Sequence, residues 1–141
     1  MSGETDSMNG EADLGRLLAG MRSELRPGTY VFVSAAEGAV PAGLAPVMDF
    51  REAEGTTLIL PEADAAQAGL AGAFPCRWIT LAVPSSLGAV GFLAAVTACL
   101  AEAGIAVNAV SAFHHDHLFV PVARAEEATG LLRELADRAA S

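Results

Sequence analysis

The sequence predicts an α+β fold in which helices cover one face of a largely antiparallel sheet. Three observations predict it. Residues 76–122 read as strand, helix, strand, strand, because the apolar run Ile79–Val83 stops at Pro84, a long helical pattern ends at Gly104, and two β-rich runs follow. Val47–Glu52 and Thr56–Leu60 flank Ala53-Glu54-Gly55, a short link with glycine where a hairpin needs positive φ. Ala125–Ala140 sets Ala128, Leu131, Leu132, Leu135 and Ala139 on one helical face, with Glu126 and Glu127 in the first turn and Arg138 in the last, as the helix dipole prefers.

The remaining elements follow in order. Leu14, Leu17, Leu18, Met21 and Leu25 recur at helical spacing, so the pattern predicts a helix over Asp13–Leu25, capped by Asp13 and ended by the turn Pro27-Gly28. Thr29–Ser34 is β-branched and aromatic enough for a strand, and Gly38, Pro41, Gly43 and Pro46 mark a long loop. Pro61, Glu62 and Asp64 open a short helix that dissolves by Gly72. In the central unit Ser85-Ser86 is the expected helix start and Gly104 its stop. Between Leu87 and Ala103 only Thr97 and Glu102 are polar, and a helix apolar nearly all round needs cover on more than one side. A second half-domain or a second subunit is expected to supply it. The chain divides into an acidic, disordered tail (residues 1–12), an N-terminal half (13–75) and a β-α-β-β-α half (76–141).

Composition narrows the function classes. With 141 residues and 52% hydrophobic side chains the chain can bury a core. The net charge is −9 and every basic residue is arginine; such a surface repels phosphate backbones, so no nucleic-acid partner is expected. The longest apolar stretch, Leu87–Ala101, is shorter than the roughly 20 residues a bilayer span needs, so no membrane helix is expected and the location read is cytoplasmic. Cys76 and Cys99 have no CxxC spacing and read as reduced thiols rather than a disulfide or metal site. No GxSxG, P-loop or GxGxxG is present, so the chain is read as neither an enzyme nor a cofactor binder, although Ser85 or Ser111 could in principle join Asp116 and a histidine in a triad.

The run ITLAVPSS, then FLAAVTACLAEAGIAVNAVSAFHHDHLFVPV, resembles the ACT domain, and is most similar to the stand-alone bacterial ACT-like proteins of unassigned function. RPGTYVF at Arg26–Phe32 and LILP at Leu58–Pro61 resemble the N-terminal half of the same family. The resemblance implies a ferredoxin-like fold of two fused ACT-like halves, side-by-side pairing of sheets in a homodimer, and a small-molecule ligand, an amino acid, at the interface of two units. Tandem-ACT amino-acid sensors are similar in the C-terminal stretch, where they carry a serine-threonine-aromatic run and a following aspartate. Here those positions read Ser111, Ala112, Phe113 and Asp116. Ala112 replaces the threonine and Ala89 stands where an acid is found near the helix start, which favours a small neutral ligand over an arginine-type one.

Physical chemistry points to the same residues. A helix start at Ser85, Ser86, Leu87 and Gly88 offers free N–H groups and partial positive charge to a carboxylate, and Asp116 can hold an ammonium. Gly88 and Gly91 would let a ligand approach the backbone. The plainer alternative is that the serines only cap the helix while Asp116 belongs to a turn. In His114-His115-Asp116-His117, strand alternation puts His115 and His117 on one face, two ligands where structural zinc wants four. A metal site there is the lesser alternative, and His114 or His115 could instead touch a ligand carboxylate. An assembly module of the same fold that binds no ligand is the remaining alternative.

Overall fold

The computed structural model describes residues 12–141, so the tail expected over 1–12 lies, Ala12 apart, outside the described residues. In chain order the elements are α1 (Leu14–Gly20), β1 (Arg22–Leu25), β2 (Tyr30–Ala35), β3 (Met48–Glu52), β4 (Gly55–Pro61), α2 (Glu62–Gln67), β5 (Ala73–Ala82), α3 (Phe92–Glu102), β6 (Asn108–Ser111) and β7 (Asp116–Pro121). A single 3-10 turn, Val122–Arg124, leads into α4 (Ala125–Ala140).

The strands form one antiparallel sheet in the order β3-β4-β2-β5-β7-β6, with β1 also paired to β5. The long β5 is shared: Ile79–Ala82 pair with β1, whereas Cys76 lies opposite Tyr30 of β2. Each half therefore has the ferredoxin-like strand order, an added fourth strand beside the first, then the third, then the second. In the C-terminal half the added strand is β1, beside β5, β7 and β6; in the N-terminal half it is the start of β5, beside β2, β4 and β3.

Strand alternation sorts the core. Ile79, Leu81, Leu118 and Val120 pack with Leu17 and Met21 of the N-terminal segment, Val96 and Leu100 of α3 and Leu132 of α4. The smaller cluster of Val31, Val33, Leu58 and Leu60 is covered by Ala65 of α2. The opposite face is aromatic: Tyr30, Phe32, Phe74, Trp78 and Phe119 gather there with Met48 and Val110. Because Met48 and Val110 lie on strands at opposite ends of the strand order, the sheet is curled over that cluster.

Asp13 caps α1 as expected, accepting the Arg16 N–H at 2.9 Å. The helix ends at Gly20, however, and Arg22–Leu25 form a strand instead of the last turns of the expected helix. The apolar spacing runs on to Leu25 by coincidence; pairing with the free edge of β5 gives those backbone groups partners that a solvent-exposed helix end lacks. The expected helix start at Ser85-Ser86 is also displaced: the residue that caps α3 is Gly91, six positions after Ser85. Ser86 Oγ accepts the Gly88 N–H at 3.0 Å, Ser85 N–H goes to the Val83 carbonyl, and α3 begins only after Gly91 at φ 92°. Local side-chain bonds and a left-handed residue win over helical continuation there. Cover for α3 comes from the sheet on one side and α4 on another, where Cys99 Sγ contacts the Leu131 carbonyl at 3.8 Å. Its outward residues, Ala94, Ala98, Ala101 and Glu102, remain exposed.

Candidate functional site

The β6–β7 hairpin and the start of α3 meet over a cavity of about 100 Å³. Register explains how: Ser111 and Asp116 are the cross-strand pair that closes the hairpin, and Asp116 is also opposite Leu81 of β5. Asp116 shares the face of Leu118 and Val120, the helix side, and is only 9% exposed. The Ser111 hydroxyl donates to Asp116 Oδ1 at 2.5 Å, a short charge-assisted bond that fixes the carboxylate at the cavity wall. Facing it are Ser85, Ser86 and Leu87 of the loop and Phe92 and Leu93, the first two residues of α3. Among the described residues no side chain caps α3, so its first-turn N–H groups lack a side-chain capping acceptor there. The cavity thus has an acid and a hydroxyl on one wall and a helix start, with its partial positive charge, on another.

Of the residues singled out in the sequence, the structure brings Ser85, Ser86, Leu87, Ser111, Ala112 and Asp116 onto this cavity, together with Ala89. It does not bring Gly88, Gly91 or Phe113 there. Gly88 is held by its bond to Ser86, Gly91 makes the turn into α3, and Phe113 is exposed with its ring against His114 at 5.1 Å. His114 and His115 stay off the wall as well; His115 Nδ1 lies 3.3 Å from the Val83 carbonyl and pins the loop. Among the described residues no serine hydroxyl bonds an imidazole, so the triad considered above is not assembled. Nor does any group of three His, Cys, Asp or Glu side chains among them sit where it could hold a metal ion. His115 and His117 lie 6.5 Å apart by ring centroids, but the Nδ1 atoms are already engaged, that of His117 with Trp78 and Thr80.

A second cavity, of about 200 Å³, opens on the aromatic face between Val47 and Met48 at one end of the sheet and Val110 and Ala112 at the other. Trp78, Phe119 and His117 form its floor. The sequence reading missed it, because its walls converge only when the sheet curls. The one available signal was the run of aromatic residues at alternate strand positions, Tyr30, Phe32, Phe74 and Trp78. Burial pushes the His117 imidazole below its ordinary pKa, with His115 and the Arg26 guanidinium adding to the shift and Asp116 opposing it.

Two family models, each described as ACT domain, match residues 9–77 and 73–134. A solved protein of unknown function from Vibrio cholerae, described as a possible transport protein, is 39% identical with a TM-score of 0.78, over 87% of this chain and 95% of that one. The chain belongs to the ACT-domain family. ACT domains are typically regulatory, ligand-binding modules. The ACT fold recurs in the aspartokinase alpha and beta subunits, at 16% identity and TM-score 0.67 over 82% of this chain and 97% of that one. It recurs again in the regulatory subunit of aspartate kinase from Thermus flavus, at 10% identity and TM-score 0.58 over 81% and 96% of the two chains. No curated protein matches the sequence. Among the described residues no helix is long and apolar enough to cross a membrane.

Proposed function

We propose that this ACT protein is a non-catalytic regulatory module that binds a small neutral amino acid in the cavity between α3 and the β6–β7 hairpin, and that a second copy of the chain closes that cavity. The observation that carries the reading is the pairing of a nearly buried acid, Asp116, with an uncapped helix start across a space of about 100 Å³. Asp116 and Ser111 suit the ammonium; the first-turn N–H groups suit the carboxylate. The space is well below the roughly 300 Å³ at which drug-sized pockets begin, which suits a small side chain. The cavity wall is unfinished: Leu87 is 59% exposed, and the nearby apolar residues Val90 and Phe113 are 82% and 53% exposed. A partner subunit laid there would bury all three.

The test is a thermal-shift screen against the twenty amino acids, followed by sedimentation of the free and bound protein. A ligand at a hundred times its Kd stabilises by about 2.7 kcal/mol, several degrees in melting temperature. The shift should appear with one or a few small amino acids and vanish in Asp116→Asn, which keeps the shape but removes the charge. Binding retained in Asp116→Asn would overturn the assignment of the ammonium to that carboxylate. The exposed Leu87, Val90 and Phe113 also favour a second reading, an assembly module without ligand; a dimer that shifts with no amino acid, and that Val90→Glu dissociates, would select it.

A further inference from the structure

We propose that the cavity on the aromatic face is a separate binding site, which takes a small aliphatic monocarboxylate between its apolar walls and the Nε2–H of His117. The imidazole tautomer follows from its neighbours. The Trp78 indole can only donate, and its Nε1–H reaches His117 Nδ1 at 3.0 Å, so Nδ1 is the acceptor and the proton sits on Nε2. Trp78 is itself held in place, stacked on Phe119 with ring centroids 6.0 Å apart and covered by the Arg26 guanidinium at 4.3 Å. No hydrogen bond within the described residues uses Nε2, and it is not among the buried polar atoms that lack a partner. It is therefore accessible, on a ring that lines the cavity.

The charge around that donor selects the head group. Among the described residues no acidic side chain lines the cavity. Arg26 Nη1 donates to Thr80 Oγ1 at 3.2 Å, and Thr80 Oγ1 lies 3.1 Å from His117 Nδ1, so a guanidinium stands two hydrogen bonds behind the imidazole. A carboxylate accepting from Nε2–H gains a stronger bond there than a neutral acceptor of the same shape. The walls select the tail: Val47, Met48 and Val110 are aliphatic, Phe119 closes the floor, and about 200 Å³ is room for a short branched chain rather than a drug-sized molecule. Because Met48 and Val110 sit on β3 and β6, at opposite ends of the strand order, an occupant would also tie the two halves of the sheet together.

The chain has a single tryptophan, Trp78, and it lines this cavity, so its emission reports on changes there. The probe is 4-methylpentanoate, titrated against 4-methylpentan-1-ol as the uncharged analogue. The acid should change Trp78 emission saturably and bind at least about tenfold more tightly than the alcohol. Val110→Phe, which fills the cavity without removing a hydrogen bond, should abolish the change, and so should Val47→Phe at the exposed mouth, a position where folding is not in question. A saturable change should persist in Asp116→Asn, which separates this site from the amino-acid cavity. Absence of a saturable change in the wild type, equal binding of acid and alcohol, or binding that survives both fillers would overturn the proposal.

Discussion

The two halves of the molecule run the same strand order yet make different sites at the same place. In the C-terminal half, β5 leads through α3 into the β6–β7 hairpin; in the N-terminal half, β2 leads through the loop of residues 36–47 into the β3–β4 hairpin. The space corresponding to the Asp116 cavity is there lined by Glu37, Arg51, Glu52 and Glu54, all exposed, with Thr56 of β4. Glu52 is engaged by the Thr57 hydroxyl at 2.5 Å, and Gly55 opens β4 where Asp116 opens β7. What differs is the helix. Where an apolar helix lies over the first strand it encloses the hairpin end and buries an acid; where glycine and proline replace it the same hairpin end stays in water.

The largest break in this comparison comes from removing the anchor of α3. Leu100 is fully buried against the sheet, so Leu100→Ala should cost about 2–5 kcal/mol in denaturant unfolding. Leu44, in the loop that stands where α3 would be, is only half-buried against its cluster, and Leu44→Ala should cost clearly less. Equal losses would mean that the loop anchors its half as firmly as the helix does.

Two glycines sharpen the same contrast at smaller scale. A Cβ at Gly55 would lie 2.7 Å from the Ala35 carbonyl oxygen, at φ 149°, so Gly55→Ala meets both a steric clash and a strained backbone. At Gly91, φ 92°, the nearest atom to an added Cβ is Leu14 Cδ2 at 3.5 Å, an ordinary contact, leaving only the backbone penalty of about 1–2 kcal/mol. Gly55→Ala should therefore be the more destabilising of the two. Gly91→Ala should act mainly on the first cavity, by letting α3 begin earlier and moving Phe92; a ligand shift unchanged in that variant would argue that the helix start does not contribute.

The fold was legible because periodicity and turn chemistry agree almost everywhere: Asp13 caps, Gly55 takes the positive φ beside the hairpin turn, and α4 keeps its expected bounds from Ala125 to Ala140. Six of the cavity residues were legible for a related reason, since a hairpin end facing a strand-to-helix loop brings Ser85–Leu87 near Ser111, Ala112 and Asp116 whichever residue starts the helix. What was not legible depended on partners far away in sequence. Arg22–Leu25 has helical spacing, and only the free edge of β5 makes it a strand. Ser86 looks like a cap, and only its own bond to Gly88 and the left-handed Gly91 delay α3. The second cavity needs residues 47, 78, 110 and 117 on one curled surface, which no local pattern records.

The smallest effect concerns pH, and it tests the imidazole on which the aromatic face depends. His117 accepts from Trp78 and Thr80 through Nδ1, so protonation there would place two donors against each other. Its folded pKa lies below the ordinary 6.5, first through burial, then through His115 and Arg26, with Asp116 pulling the other way. The unfolded chain then binds the proton more readily than the folded one. Stability from this group is complete above 6.5 and is lost as pH falls through the folded value. Unfolding free energies between about pH 7 and about pH 5 should fall for the wild type more steeply than for His117→Phe, which cannot titrate. The neighbouring charges His115, Arg26 and Asp116 are common to both proteins, so the difference in slope isolates the imidazole. Equal slopes would mean that His117 is no more reluctant to take a proton in the folded protein than in the unfolded one.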